Sequence, residues 1–163
     1  MCLPTYFKKI IPNFVVKVMQ PKNNEINILL AEDNPGDVFI IKKALNQNSF
    51  PYKLAQVSDG EEIMKFLHQQ EKYVNSVRPQ IILLDLNLPK KHGFDVLKEI
   101  KQDQELKFIP IVVLTSSQSE KDIIKSYSLH ASCYLTKPVN LPEFLAVIQS
   151  LKDFWFCLLY TSD

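Results

Sequence analysis

Two stretches, residues 81–85 (IILLD) and 111–115 (IVVLT), are apolar at every position until the last. A strand with one face in water alternates apolar and polar side chains, so a strand without that alternation must be covered on both faces. A parallel sheet sandwiched between helices meets that demand, because each parallel connection crosses over the sheet and carries a helix with it. The first run delivers a carboxylate, Asp85, at its end. A buried carboxylate without a partner is costly, so that end needs a use for its charge.

The rest of the chain supplies the alternation such a sheet requires. Residues 26–31 (INILLA), 52–58 (YKLAQVS), 80–86 (QIILLDL), 109–116 (IPIVVLTS) and 133–136 (CYLT) read as five strands. Helical patterns follow each of them. Asn34 is placed to cap a helix with Pro35 at its first position and Asp37 in its first turn, and Val38, Ile41 and Leu45 share one face. Ser58 and Glu61 have capping-box spacing ahead of Ile63, Phe66 and Leu67. Gly93 precedes a helix with Val96, Leu97 and Ile100 on one side, and Ser119 one with Ile123, Ile124 and Tyr127. Asn140 and Glu143 open the last helix, whose stripe is Leu141, Phe144, Leu145, Ile148 and Leu151. The expected fold is a doubly wound α/β domain with a five-stranded parallel sheet, a (βα)5 flavodoxin-like arrangement.

Composition sets the class of partner. Apolar residues make up 46% and charged residues 23% of 163 positions, as in one globular domain. Residues 1–24 hold Lys8, Lys9, Lys17 and Lys22 and no acid, which leaves 15 basic against 18 acidic residues in the remainder, a formal −3. With Arg78 as the only arginine, that remainder is a poor nucleic-acid binder. Cys2, Cys133 and Cys157 have neither metal-ligand spacing nor the look of a disulfide framework, which fits a reducing cytoplasm. His68, His92 and His130 lack ligand spacing too. No apolar run approaches the roughly 18 residues of a membrane span. Residues 1–24 lack the apolar core and cleavage site of a signal peptide and are expected to be a disordered or mis-started extension. The tail at 157–163, CLLYTSD, back-translates to something resembling a transposon end used in library preparation and is expected to be non-native. The working domain is expected to span 25–156.

In a parallel sheet the carboxyl ends of the strands share one edge, and ligands bind there. Strand one ends in Glu32 and Asp33, strand three in Asp85, strand four in Thr115 and Ser116, and strand five in Lys137. Each has an ordinary reading alone: helix-start acids, a strand terminus, a solvated turn lysine. Together they place three carboxylates and one ammonium on one edge. Two like charges about 4 Å apart repel by roughly 4 kcal/mol at an effective dielectric of 20. A hard divalent cation offsets that repulsion, and Mg2+ suits a site of one or two carboxylates, water and phosphate.

These residues resemble the receiver domain of two-component response regulators over about residues 25–153. The match is carried by Glu32-Asp33, Asp85 in LLDLNLP, Gly93 eight residues on, Thr115 thirty on and Lys137-Pro138 fifty-two on. EDNPGD, DLNLPKKHG and YSLHASCYLTKPV are similar to a subgroup, the small stand-alone regulators that pair with bacterial phytochrome-type histidine kinases. The resemblance implies that Asp85 accepts a phosphoryl group from a sensor histidine kinase. It implies that Asp33, Asp85 and the Asn87 carbonyl bind Mg2+, with Glu32 acting through metal-bound water. Lys137, the Thr115 hydroxyl and the Ser116 N–H would contact phosphoryl oxygens, and the Lys137-Pro138 bond would be cis. Thr115 and Tyr134 would form a switch that remodels the surface of the fourth helix, fifth strand and fifth helix, which is also the implied homodimer face. No nucleic acid or membrane partner is expected, and no enzymatic activity beyond the protein's own phosphorylation and dephosphorylation.

Two other classes compete. A degenerate receiver would act only as a protein-interaction module, but such modules usually lack the acceptor or the lysine. A Mg-dependent aspartyl phosphatase of the haloacid dehalogenase type would want Asp-x-Asp at the end of strand one, where this chain has Glu32-Asp33.

Overall fold

The computed structural model describes residues 25–47 and 50–160, with residues 154–160 described by their backbone. The expected extension at 1–24 and residues 161–163 lie outside the described residues. Among the described residues five strands alternate with five helices: β1 (Ile26–Ala31), α1 (Pro35–Asn46), β2 (Tyr52–Val57), α2 (Gly60–Leu67), β3 (Ile81–Asp85), α3 (Gly93–Gln102), β4 (Ile111–Thr115), α4 (Glu120–Ser128), β5 (Cys133–Thr136) and α5 (Leu141–Tyr160), with a 3-10 turn at Glu71–Tyr73. The backbone of α5 thus runs through the expected domain end at 156 to Tyr160.

All strand pairings are parallel, in the order β2-β1-β3-β4-β5. This is the doubly wound architecture that the two apolar runs demand. Both β3 and β4 are buried at every position. Their side chains divide between two apolar layers. Ile82, Leu84 and Val113 pack with Ile63 and Leu67 of α2 and Val96, Leu97 and Ile100 of α3. Ile81, Leu83 and Leu114 face the other way, onto Ile41 and Leu45 of α1 and Phe144 and Ile148 of α5. Each such fully buried aliphatic contributes about 1.5–3 kcal/mol relative to exposure. The strand order reverses at β1, so the crevice between the ends of β1 and β3 is where a ligand site is expected.

Three local readings need correction. The N-cap of α2 is Asp59, not Ser58: its carboxylate accepts from the N–H groups of Glu61 and Glu62 at 3.0 and 2.8 Å. Helix α4 does start after Ser119, but that side chain makes no capping bond. Ser117 instead braces the turn ahead of the helix, its Oγ accepting from the Ser119 N–H at 3.2 Å and donating to Asp122 Oδ2 at 2.7 Å. The expected apolar stripe of α4 is not a core face either, because Ile124 is 61% and Tyr127 49% exposed. The buried residue there is Ser126, which satisfies its hydroxyl on the Asp122 carbonyl at 2.9 Å. Periodicity identifies a common face but not which way that face points. No helix among the described residues is long and apolar enough to cross a membrane.

Gly93 brings the start of α3 against the end of β3. A Cβ there would lie 2.6 Å from both the Asp85 carbonyl oxygen and Leu86 Cα, and the Gly93 N–H donates to the Leu86 carbonyl at 2.9 Å. Gly93→Ala is therefore expected to cost about 1–3 kcal/mol by overpacking. Urea unfolding would show it as a lower midpoint at unchanged slope, and an unmoved midpoint would mean that the turn relaxes freely.

Candidate phosphoryl-acceptor site

The carboxyl ends of the strands open onto one cleft, lined among others by Asp33, Asp37, Asp85, Asn87, Ser116 and Lys137. Each is delivered by a different local device. Glu32 and Asp33 leave β1 just before the Asn34 cap of α1, whose Oδ1 accepts from the Gly36 and Asp37 N–H groups at 2.8 and 3.1 Å. Asp85 is the last residue of β3, fixed by the tuck at Gly93. Lys137 follows β5, its N–H donating to the Thr115 carbonyl at 2.8 Å and its bond to Pro138 being cis.

The side chains converge on Lys137. Its Nζ donates to Glu32 Oε2 at 2.5 Å, Asp37 Oδ2 at 2.9 Å and Asp85 Oδ2 at 3.1 Å. Burial works against the ammonium, but hydrogen bonds to Glu32 and Asp37 and the charges of Asp85 and Glu32 outweigh it, holding Lys137 above the ordinary lysine range. Glu32 is fully buried. Burial raises its carboxyl above the ordinary range, although bonds from Lys137 and from the Asn34 N–H at 3.0 Å oppose that and the nearby Asp85 charge adds to it. Asp85 is also buried, and its second oxygen accepts from the Asn87 N–H at 3.1 Å. Asp33 is exposed.

Carboxylate oxygens of Glu32, Asp33 and Asp85 lie within 4.8 Å of one another. Three hard oxygen donors at that spacing fit the chemistry of Mg2+. The remaining candidates flank this group. Ser116 lines the cleft. Thr115 is fully buried, its Oγ1 accepting from the Ser117 N–H at 3.2 Å, and it does not line the cleft. Tyr134 is half-buried and donates its hydroxyl to the Ser117 carbonyl at 2.7 Å, across the turn between β4 and α4. Burial raises its phenol above the usual range, against the hydrogen bond at Ser117. The structure therefore gathers Glu32, Asp33, Asp85, Asn87, Ser116 and Lys137 around the cleft and places Thr115 and Tyr134 behind it.

Asp37 is the site residue that sequence reasoning missed. Its position in the first turn of a helix accounts for an acid on dipole grounds alone. A signal was nonetheless present, since α1 begins at the end of β1 and its first turn must overhang the same sheet edge. His92, which has no ligand spacing in the sequence, caps α3 by accepting from the Phe94 N–H at Nδ1, 3.2 Å away.

Comparison with known proteins agrees with this geometry. The response regulator receiver domain family matches residues 28–149. Response regulator Rcp1 of Synechocystis sp. is 49% identical over 128 residues, covering 78% of this chain and 87% of that one. Among solved structures, the phosphorylated cyanobacterial phytochrome response regulator RcpA superposes with a TM-score of 0.71 at 46% identity, covering 81% of this chain and 94% of that one. The Mn2+-bound form of Rcp1 superposes at 0.70 with 48% identity, covering 80% and 94%. With the family matched over most of its length and the acidic cluster, strand-end aspartate and lysine assembled on one sheet edge, the chain belongs to the response regulator receiver family.

Proposed function

We propose that the protein is a single-domain response regulator that accepts a phosphoryl group on Asp85 from a sensor histidine kinase. The observation that carries the reading is the Asp85 carboxylate itself, buried at a strand end, within 3.1 Å of Lys137 and beside Asp33 and Glu32. An Asp85 oxygen attacks phosphorus of the kinase phosphohistidine, the P–O bond forms as the P–N bond breaks, and the departing imidazole takes up a proton. Transfer of this kind is mostly positioning and charge neutralisation. Lys137 supplies one fixed positive charge at the acceptor. The Thr115 hydroxyl and Ser116 N–H, at the end of β4 beside β3, would contact the phosphoryl oxygens, as the resemblance implies.

Asp33, Asp85 and the Asn87 carbonyl would hold Mg2+, which supplies the charge neutralisation that three clustered carboxylates and a phosphoryl group require. Glu32, fully buried and bonded to the Asn34 N–H and Lys137, would act through metal-bound water. The likeness to a cyanobacterial phytochrome response regulator supports a phytochrome-type kinase as donor. Residues 25–156 make up the working unit, and it acts in the cytoplasm.

The signal leaves through α4, β5 and α5. A phosphoryl group adds charge that Thr115 and Lys137 must satisfy. Thr115 and Tyr134 both bond to Ser117, so movement of either is felt at the start of α4, where Ile124 and Tyr127 stand exposed. That surface is the proposed site of downstream contacts and of a symmetric homodimer.

The test has two readings. Transfer from a phytochrome-type kinase, or labelling by acetyl phosphate, should mark Asp85 in the full chain and in residues 25–156 alike, and chelating Mg2+ should stop it. Absence of label under both conditions would refute the assignment. Beryllofluoride should then shift amide resonances through residues 119–136 as well as at the strand ends. Shifts confined to the cleft would leave the acceptor standing and remove the output surface.

A further inference from the structure

A lysine ammonium has three N–H donors and no more. Lys137 has all three directed at carboxylates: Glu32, Asp37 and Asp85. A phosphoryl oxygen arriving on Asp85 therefore finds no donor free on Lys137, and one existing bond must open to admit it.

The three partners are not equivalent. Glu32 is fully buried and its other oxygen is held by the Asn34 N–H, so removing its cation would strand a buried charge. Asp85 is the group being modified, and its other oxygen is held by the Asn87 N–H. Asp37 is different. Its side chain is 32% exposed, so water can replace the ammonium. It lies in the first turn of α1, where the helix dipole favours its charge without help from Lys137. Asp37 is the partner whose bond opens at least cost.

We infer that Asp37 is a positioning residue that competes with the incoming phosphoryl group for Lys137 and thereby sets how strongly the cleft holds a phosphoryl-like anion. The inference deepens the reading of Asp85 as acceptor and rests on it. Asp37 acts through Lys137 rather than on the reacting atoms. Two effects of opposite sign follow. With Asp37 neutral, Lys137 gains a free donor, so an anion on Asp85 binds more tightly. The formal charge of Glu32, Asp33, Asp37, Asp85 and Lys137 also falls from −3 to −2, so Mg2+ binds more weakly. A residue that merely braced Lys137 would weaken the anion instead.

The experiment uses the full chain and two variants, Asp37→Asn and Asp37→Ser, so that a folding defect in one leaves the comparison standing. Mg2+ alone is titrated by calorimetry, and beryllofluoride is then titrated at saturating Mg2+ by amide NMR. Both variants should bind beryllofluoride about two- to fivefold more tightly and Mg2+ more weakly by a similar factor, the scale of a partly exposed ion pair. Asp37→Glu, which keeps a carboxylate in place, should return both values toward those of the unsubstituted protein. Beryllofluoride affinity that is unchanged or lower in both neutral variants overturns the competition while leaving the acceptor intact. If the unsubstituted protein binds no beryllofluoride, the acceptor reading fails and this inference fails with it.

Discussion

Asp85→Asn is expected to remove the base-labile phosphoryl label from the protein, a loss of at least about a hundredfold, because the covalent route is deleted rather than weakened. An amide cannot form the acyl phosphate. The fold should survive. The substituted side chain keeps an oxygen for the Asn87 N–H, which now meets Asp85 at 3.1 Å. Its amide nitrogen would face Lys137, a donor against a donor, but Lys137 retains Glu32 and Asp37. The cleft also loses one of four negative charges, which relieves repulsion. Phosphotransfer with mass-spectrometric mapping decides the matter, and undiminished label in this variant would move the acceptor to another carboxylate, with Asp33 and Asp37 the first to examine.

Lys137→Ala should destabilise the fold in a way that depends on pH and Mg2+. The substitution leaves Glu32 buried without a cation, and breaking a buried pair costs about 3–5 kcal/mol. The cleft is open to water, so about 2 kcal/mol is the expected loss at pH 7. The pH dependence follows from the direction of each shift. Lys137 has a raised folded pKa, so its contribution is complete below the ordinary lysine range and is lost only as pH rises through the raised value. Glu32 also has a raised folded pKa, so its ionised form is a cost at neutral pH that disappears as pH falls through the raised range. Without Lys137 that cost is uncovered. The deficit relative to the unsubstituted protein should therefore shrink as pH drops from 7 toward the carboxylate range, and also as Mg2+ is added at pH 7. Denaturant melts across that window are the measurement. A deficit indifferent to both pH and Mg2+ would show that the lysine contributes through packing of its aliphatic stem.

The elements that were legible in the sequence are those whose residues leave no choice. IILLD and IVVLT suit a strand covered on both faces, and with strands alternating with helical patterns the sheet is parallel and the strand ends meet, which gathers Glu32, Asp33, Asp85 and Lys137 on one edge from the sequence alone. What escaped depends on the third dimension. The sheet edge puts Asp37 near the cleft, but its bond to a lysine 100 residues away is seen only in the fold. The cap of α2 sits at Asp59 because Gly60, not Asp59, begins the helix, and Gly60 is required there because a Cβ would lie 2.1 Å from the Lys91 carbonyl. The stripe of α4 has helical spacing but points outward, since this nine-residue helix packs at the β5 edge rather than across the sheet.

The acidic cleft and the exposed apolar side chains are rooted in different parts of the fold. Every group in the cleft is rooted in a strand end, a connecting turn or the first turn of α1, whereas the exposed apolar side chains Phe39, Ile40, Ile124 and Tyr127 stand on the outer faces of α1 and α4. Substitution at those outer positions is expected to change what the protein can touch while leaving the acid–lysine bonds of the cleft in place. A lineage built on this scaffold is thus free to change its partners while its acid–lysine centre stays fixed, so duplicated copies can drift apart in allegiance and still run the same reaction.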